Sequence, residues 1–269
     1  MSNQAKRQAP VVLKIGGNFF NILKSSANAD NALLTTIQSL QEKHRDVVIV
    51  HGGGEQVLAR LNDLGIKSVR KDGLRITPDA HMPIVSGVLA GELNKLLVAQ
   101  CAIYNINAVG ISLADGNMAV CHEHPANIGA VGVPTAKSAD LLKALLQANM
   151  VPVVASIGRD DSGRLYNVNA DHGAICIAKL LNTKLYFFAD VIGVLDENKH
   201  LIPQLDKQQS TDLISRGVIT DGMAVKVVAA QFAANQIQQP VTIGSWNDAA
   251  KILISKEICG TEIMPSINI

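Results

Sequence analysis

The sequence predicts an α/β fold, a three-layer αβα sandwich around a mostly parallel open sheet. Three observations carry that expectation: short apolar runs rich in β-branched residues recur along the chain, amphipathic helical stretches separate them, and glycine turns follow two of them. Strands covered on both faces read as continuous apolar runs, and parallel strands need helical crossovers between them. With 48% of its 269 residues hydrophobic, the chain can bury such a core without a partner.

The runs are VVLKI at residues 11–15, VVIV at 47–50, VPVVA at 151–155 and KLYFF at 184–188. The polar, basic segment at residues 1–10 lacks an apolar stretch and leads straight into the first run, so it is read as neither a signal peptide nor an anchor. A helix is predicted to open at Thr77-Pro78-Asp79 and run to about Tyr104, with Thr77 as cap, Pro78 in the first helical position and Asp79 facing the positive end of the dipole. Between Asp115 and Pro134 the pattern breaks into short pieces around Gly116, Pro125, Gly129 and Gly132, as hairpins inserted over one end of the sheet would. Such an insertion suits a substrate lid. No Ser/Pro/Gly linker divides the chain, and two lobes are predicted, residues 1–183 and 184–269.

Composition excludes several classes of partner. Lys plus Arg number 24 against 23 Asp plus Glu, and aromatics make up 3%, so neither a basic field nor stacking platforms invite nucleic acid. No uninterrupted apolar run approaches the roughly 20 residues that span a bilayer. The four cysteines, Cys101, Cys121, Cys176 and Cys259, form no C-x-x-C pair, which argues against disulfides or a zinc ribbon and for a reducing cytoplasm.

Five segments carry chemistry. Lys14-Ile15-Gly16-Gly17 sets a lysine at the end of a strand before paired glycines, whose bare backbone lets a phosphate reach the amides of Gly16 and Gly17. His51-Gly52-Gly53-Gly54 repeats the arrangement after the second strand, and two such loops at strand C-termini face one crevice. Neither completes a nucleotide motif of another class: no Walker A sequence occurs, and Val57 stands where G-x-G-x-x-G needs its third glycine. In Gly73-Leu74-Arg75-Ile76-Thr77-Pro78, Arg75 is either a surface arginine or a fork for a carboxylate. In Asn167-Val168-Asn169-Ala170-Asp171, Asp171 is either a helix cap or the group that orients lysines around a phosphoryl. Last, the turn from Asp190 to Leu195 and the loop around Val218, Ile219 and Thr220 precede a helix that carries Lys226 in its first turns. The segment Cys121-His122-Glu123-His124 lies in the hairpins without a partner cluster, so no metal site is assigned; His51 is read as structural, and His172 has no assigned role.

Taken in order, K-x-G-G, H-G-G-G, G-L-R-x-T-P, N-x-N-A-D-x-x-A, D-V-x-G-[IVL]-L and I-T-D-G-M-x-x-K resemble the amino-acid kinase family over nearly the whole chain, from Val11 to about Trp246. The resemblance implies ATP-dependent phosphorylation of the side-chain carboxylate of N-acetyl-L-glutamate in arginine biosynthesis, with Mg²⁺ on the nucleotide. It implies charge stabilisation by Lys14 and Lys226 and their orientation by Asp171. Gly52, Gly53, Arg75 and Asn167 would hold the acid, and Gly16, Gly17, Asp190, Val191, Ile192, Gly193, Val194, Leu195, Val218, Ile219 and Thr220 the ATP. The first lobe would bind the acid and dimerise, the second would bind ATP. Two alternatives stay open: a kinase of the same fold for another acylated acidic amino acid such as an acylated aminoadipate, and a non-catalytic nucleotide- or amino-acid-binding regulator. With only about ten polar residues ahead of the first strand, an arginine-insensitive homodimer is expected.

Overall fold

The computed structural model describes residues 8–25, 31–71, 73–255 and 257–266. The first seven residues, on which the signal-peptide and arginine-insensitive-homodimer expectations largely rest, lie outside the described residues.

The strands and helices follow in chain order as β1 (Gln8–Ile15), α1 (Asn18–Ser25), α2 (Ala32–Glu42), β2 (Arg45–His51), α3 (Gly54–Asp63), β3 (Arg70–Lys71), β4 (Leu74–Arg75), α4 (Met82–Ser86), α5 (Asn94–Ile103), β5 (Ala108–Ser112), β6 (Ala119–Glu123), β7 (Val131–Ala136), α6 (Asp140–Gln147), β8 (Val151–Ala155), β9 (Ile157–Arg159), β10 (Leu165–Val168), α7 (Ala170–Leu181), β11 (Lys184–Ala189), β12 (Gln204–Leu205), α8 (Lys207–Ser215), α9 (Asp221–Ile237), β13 (Val241–Ser245) and β14 (Thr261–Ile263). Eight strands form the main sheet in the order β12-β14-β13-β11-β1-β2-β8-β5, parallel except where β13 meets β14. The α/β class and its mostly parallel sheet are therefore as the sequence predicts. On one face Leu13, Ile15 and Ile49 pack with α1, α2, α3 and the helix through α4 and α5. On the other, Val12, Val48, Val50 and Phe187 pack with α6, α7 and α9.

The first strand starts at Gln8, three residues before the apolar run. Its register with β2 shifts between Gln8 and Val11, around Pro10, which has no N–H to give to a ladder. The inserted hairpins form a second sheet, β6-β7-β10-β9, that mixes parallel and antiparallel pairs.

The predicted long helix exists but opens differently. Pro78 is extended (φ −55°, ψ 149°) and the helix begins after it with a 3₁₀ turn at Asp79–His81. Thr77 is no cap: its N–H donates to the Ile128 carbonyl at 3.0 Å and its own carbonyl accepts from Ala130 at 2.6 Å, so tertiary pairing has claimed it. Between α4 and α5 the helix widens into a π-helical stretch, Gly87–Leu93. The whole segment, Asp79–Ile103, is 25 residues long and contains an 18-residue window with a mean hydropathy of 1.3, long and apolar enough by composition to cross a membrane. Counting uninterrupted apolar residues misses it because Ser86, Glu92, Asn94 and Lys95 interrupt the run. Here Met82, Val85, Val88, Leu89, Leu93, Leu97 and Cys101 bury its inner face against the sheet.

At its middle, buried Asn94 donates to the Val153 carbonyl at 2.8 Å and lies 3.2 Å from His51 Nε2. His51 Nδ1 faces the Gly52 carbonyl oxygen at 2.9 Å, so the neutral ring donates from Nδ1 and accepts at Nε2. Burial without a carboxylate pushes its pKa down from 6.5 to about 4. The unfolded imidazole takes up a proton near pH 6.5 and the folded one only near pH 4, so the unfolded chain binds more protons across that interval. Stability is expected to be flat with respect to this group above pH 6.5 and to fall as pH drops toward 4, by on the order of 3 kcal/mol. Urea denaturation of wild type and His51→Gln across this range checks it: the gap between them should shrink as pH falls.

Candidate active site

Lys14 is set by strand alternation. It shares with Val12 the face of β1 that α7 covers, level with Val50 of β2 and Phe187 of β11. Its ammonium stands 5.4 Å from the Phe187 ring centre and 2.8 Å from Asp171 Oδ1 at the start of α7. Asp171 is free for this contact because Asn169 is the cap, its side-chain oxygen accepting from the Asp171 N–H at 2.7 Å. The cap alternative for Asp171 is thereby excluded. The pair lies outside aligned hydrogen-bond geometry at Oδ1, so it is held by charge.

Both glycine turns end neighbouring parallel strands, with Ile15 opposite His51. Gln56 donates to the Gly17 carbonyl at 3.0 Å, and a Cβ at Gly17 would stand 3.5 Å from Gly53 Cα. Gly53 is pressed against Leu93 and Leu89 of the π-helical stretch. Arg75 is buried, donating to the Gly54 carbonyl at 2.5 Å and to the Ser68 hydroxyl, which roots the β3–β4 hairpin at the start of α3. Burial, then the neighbouring Arg70 charge, lowers its pKa. Asn167 donates from Nδ2 to Thr77 Oγ1 at 3.3 Å, and its N–H to Ala130 at 2.9 Å.

These groups line one cavity of about 300 Å³: Lys14, Gly16, Gly17, Gly52, Gly53, Arg75, Asn167 and Asp171 all contribute. Arg70, Ser156 and Asn169 also line it, although the sequence reading assigned them no role. The structure places Arg70 opposite Arg75 in a short hairpin that the sequence reading did not anticipate. A second cavity, of about 440 Å³, is lined by Asp190, Val191, Ile192, Gly193, Val194, Leu195, Val218, Ile219 and Thr220, with Met223 added. Thr261 holds its loop by accepting the Val194 N–H at 2.8 Å. Gly193 sits at φ +141°, where a Cβ would run into Leu201 and Thr261. Thr220 caps α9 without a side-chain bond, so the first-turn amides are not spent on a side-chain cap.

Gly16 and Gly17 border the first cavity rather than the second, but Asn18 donates to Asp190 Oδ2 at 3.0 Å and joins the two loops. Lys226 lines neither cavity; its amine lies near Gly222 on the first turns of α9. Among the described residues no group of three His, Cys, Asp or Glu side chains is placed to hold a metal ion. His172 stacks at a tilt on Phe232 of α9, 5.5 Å between centres. Cys101, Cys121 and Cys176 are buried and unpaired, their thiols pushed up to about 12 by burial.

A family model described as the amino acid kinase family matches residues 9–245. The acetylglutamate kinase of Vibrio campbellii is 40% identical over 260 residues, covering 96% of this chain and 98% of that protein. That of Vibrio cholerae serotype O1 is 41% identical over 259 residues, again covering 96% and 98%. Among solved structures, a Streptococcus mutans protein superposes with a TM-score of 0.78 at 25% identity, over 96% of this chain and 99% of that one.

Gly53→Ala should cost about 1–3 kcal/mol, because its Cβ would overlap Leu93 and come within 2.9 Å of Leu89. Urea denaturation gives the loss, and the same Gly53→Ala change should cost less when made in a Leu93→Ala background than in wild type.

Proposed function

The chain belongs to the amino acid kinase family, and from that premise we propose that it phosphorylates the side-chain carboxylate of N-acetyl-L-glutamate with ATP, a step of arginine biosynthesis. The observation that carries this reading is the adjacency of two differently built cavities at the carboxyl ends of the central strands. The loops after β11, β1 and β2 are consecutive there, and strand spacing of about 4.8 Å puts the outer two roughly 10 Å apart. An apolar recess with uncapped helix amides suits a nucleotide; a polar recess with cations and glycine amides suits a small acid.

The acid needs no general base, since a carboxylate with a pKa of about 4.3 is already ionised at neutral pH. One of its oxygens attacks the γ-phosphorus, the bond to the bridging oxygen breaks, and ADP leaves with that electron pair. The difficulty is repulsion between anions, which calls for neutralisation and in-line placement. Lys14, steered by Asp171, meets the transferring group from the acid side. Lys226, on the helix whose start borders the nucleotide cavity, supplies the second positive charge. Gly52 and Gly53 amides, Arg75 and Asn167 hold the acid, and Mg²⁺ would arrive with the nucleotide and would offset the charge of its phosphates. Residues 1–183 form the acid-binding lobe and 184–269 the nucleotide lobe. A homodimer through the first lobe is supported by Ile103 at the end of the long helix, a large apolar side chain that is 66% exposed.

Acyl phosphate trapped with hydroxylamine, using ATP and Mg²⁺, tests the reaction, with N-acetyl-L-glutamate set against N-acetyl-aspartate, N-acetyl-aminoadipate and free glutamate. N-acetyl-L-glutamate should be strongly preferred; preference for another acid moves the substrate, and no product with any of them favours a binding regulator. Lys226→Ala should lower kcat by roughly 100- to 1000-fold while the KM for ATP moves little, as for a contact that strengthens in the transition state. Equal losses in both parameters would contradict that role.

A further inference from the structure

Arg164 stands outside the cavity and outside every motif, yet its guanidinium ties β10, which lines the first cavity, to the start of the long helix and to the end of β6. Nε and Nη2 grip both oxygens of Asp79, at 2.8 and 3.0 Å, in the first turn of the long helix. Nη1 donates to Glu123 at the end of β6, 3.2 Å away, and to the Tyr166 hydroxyl on β10 at 3.0 Å. The fork lies 4.9 Å over the Tyr166 ring, which is itself buried. Asp160 fixes the turn beneath, accepting from the Arg164 N–H at 3.0 Å and from the Tyr166 hydroxyl at 3.2 Å. The grip depresses the Asp79 carboxyl below its ordinary value, chiefly through the hydrogen bonds from Arg164.

This node is poorly suited to be a stability device. Its side chains are 33% (Arg164), 67% (Asp79) and 49% (Glu123) exposed, and ion pairs so exposed contribute little to folding. A bidentate fork does supply fixed geometry. Three residues along β10, about 10 Å away, lies Asn167. Two residues before Asp79 lies Thr77, whose hydroxyl accepts from Asn167. The fork therefore clamps the two segments whose contact forms the Asn167 wall of the cavity, and Glu123 ties the hairpin to both.

We infer that Arg164 is a positioning residue for the acceptor acid, locking the inserted sheet to the start of the long helix so that Asn167 and Thr77 keep one mutual geometry. The inference rests on the reading of the first cavity as the acid site. Its loss loosens acid binding and leaves the nucleotide side untouched, since the second cavity shares no residue with the node.

The test uses the full chain with Arg164→Gln, Arg164→Lys and Asp79→Asn. In the hydroxylamine assay, Arg164→Gln and Asp79→Asn should each raise the KM for N-acetyl-L-glutamate about three- to tenfold, with kcat, the KM for ATP and the melting midpoint nearly unchanged. Calorimetric Kd values for the acid should rise in parallel. Arg164→Lys should recover only part, because an ammonium cannot grip both oxygens. The Arg164→Gln/Asp79→Asn double variant should be no worse than either single one, because both remove the same grip. Variants indistinguishable from an active wild type overturn this inference alone, as does a drop in melting midpoint with kcat and both KM values disturbed together. A wild type that neither binds nor phosphorylates the acid overturns the cavity reading and this inference together.

Discussion

The site depends on a charge placed in the middle of a buried sheet. Lys14 stands at the end of a central strand covered on both faces, where its ammonium is only partly exposed at the cavity wall, so a carboxylate at its own level offsets the water it loses. Asp171 meets that need at 2.8 Å because α7 packs across β1 and starts at the carboxyl end of the strands. The cap on that helix belongs to Asn169, two residues earlier, and this division of labour leaves the aspartate carboxylate turned toward the lysine. Glycine turns, cap and ion pair all meet at one end of the sheet, where backbone polar groups are not consumed by ladders.

Much of this was legible in the chain, for identifiable reasons. Strands such as residues 47–50 and 151–155 are buried on both faces, and burial of that kind writes itself as unbroken β-branched runs. The glycine turns were legible because close backbone approach permits little else: Gly53 faces Leu93 with no room for a methyl group. Failures came where tertiary contacts overrode local chemistry. Thr77 has the composition of a cap but is spent on the Gly129 loop. Ser156 reaches its cavity through the folding of a distant segment, Arg70 and Met223 lie five and three residues from Arg75 and Thr220, and a single arginine, serine or methionine carries no periodic signature. The node around Arg164 is less legible still, because it joins residues 41 and 85 positions away in sequence.

A hydrogen bond bridges the loops of the two cavities where Asn18 of α1 donates to Asp190 after β11. That bond links the turn that ends β1 to the turn that ends β11, neighbours in the sheet and distant in sequence. A chain can therefore vary the walls of either recess while the edge between them keeps its dimensions.

The buried imidazole of His51 has one more consequence. It draws the carbonyl of Gly52 toward itself, and that carbonyl shares a peptide unit with the N–H of Gly53. In a planar trans unit the two bonds point in opposite directions, so anchoring one aims the other. A ring that never meets the ligand thus acts as a rudder for a hydrogen-bond donor, and a substitution at His51 that preserved the core would still let that donor swing.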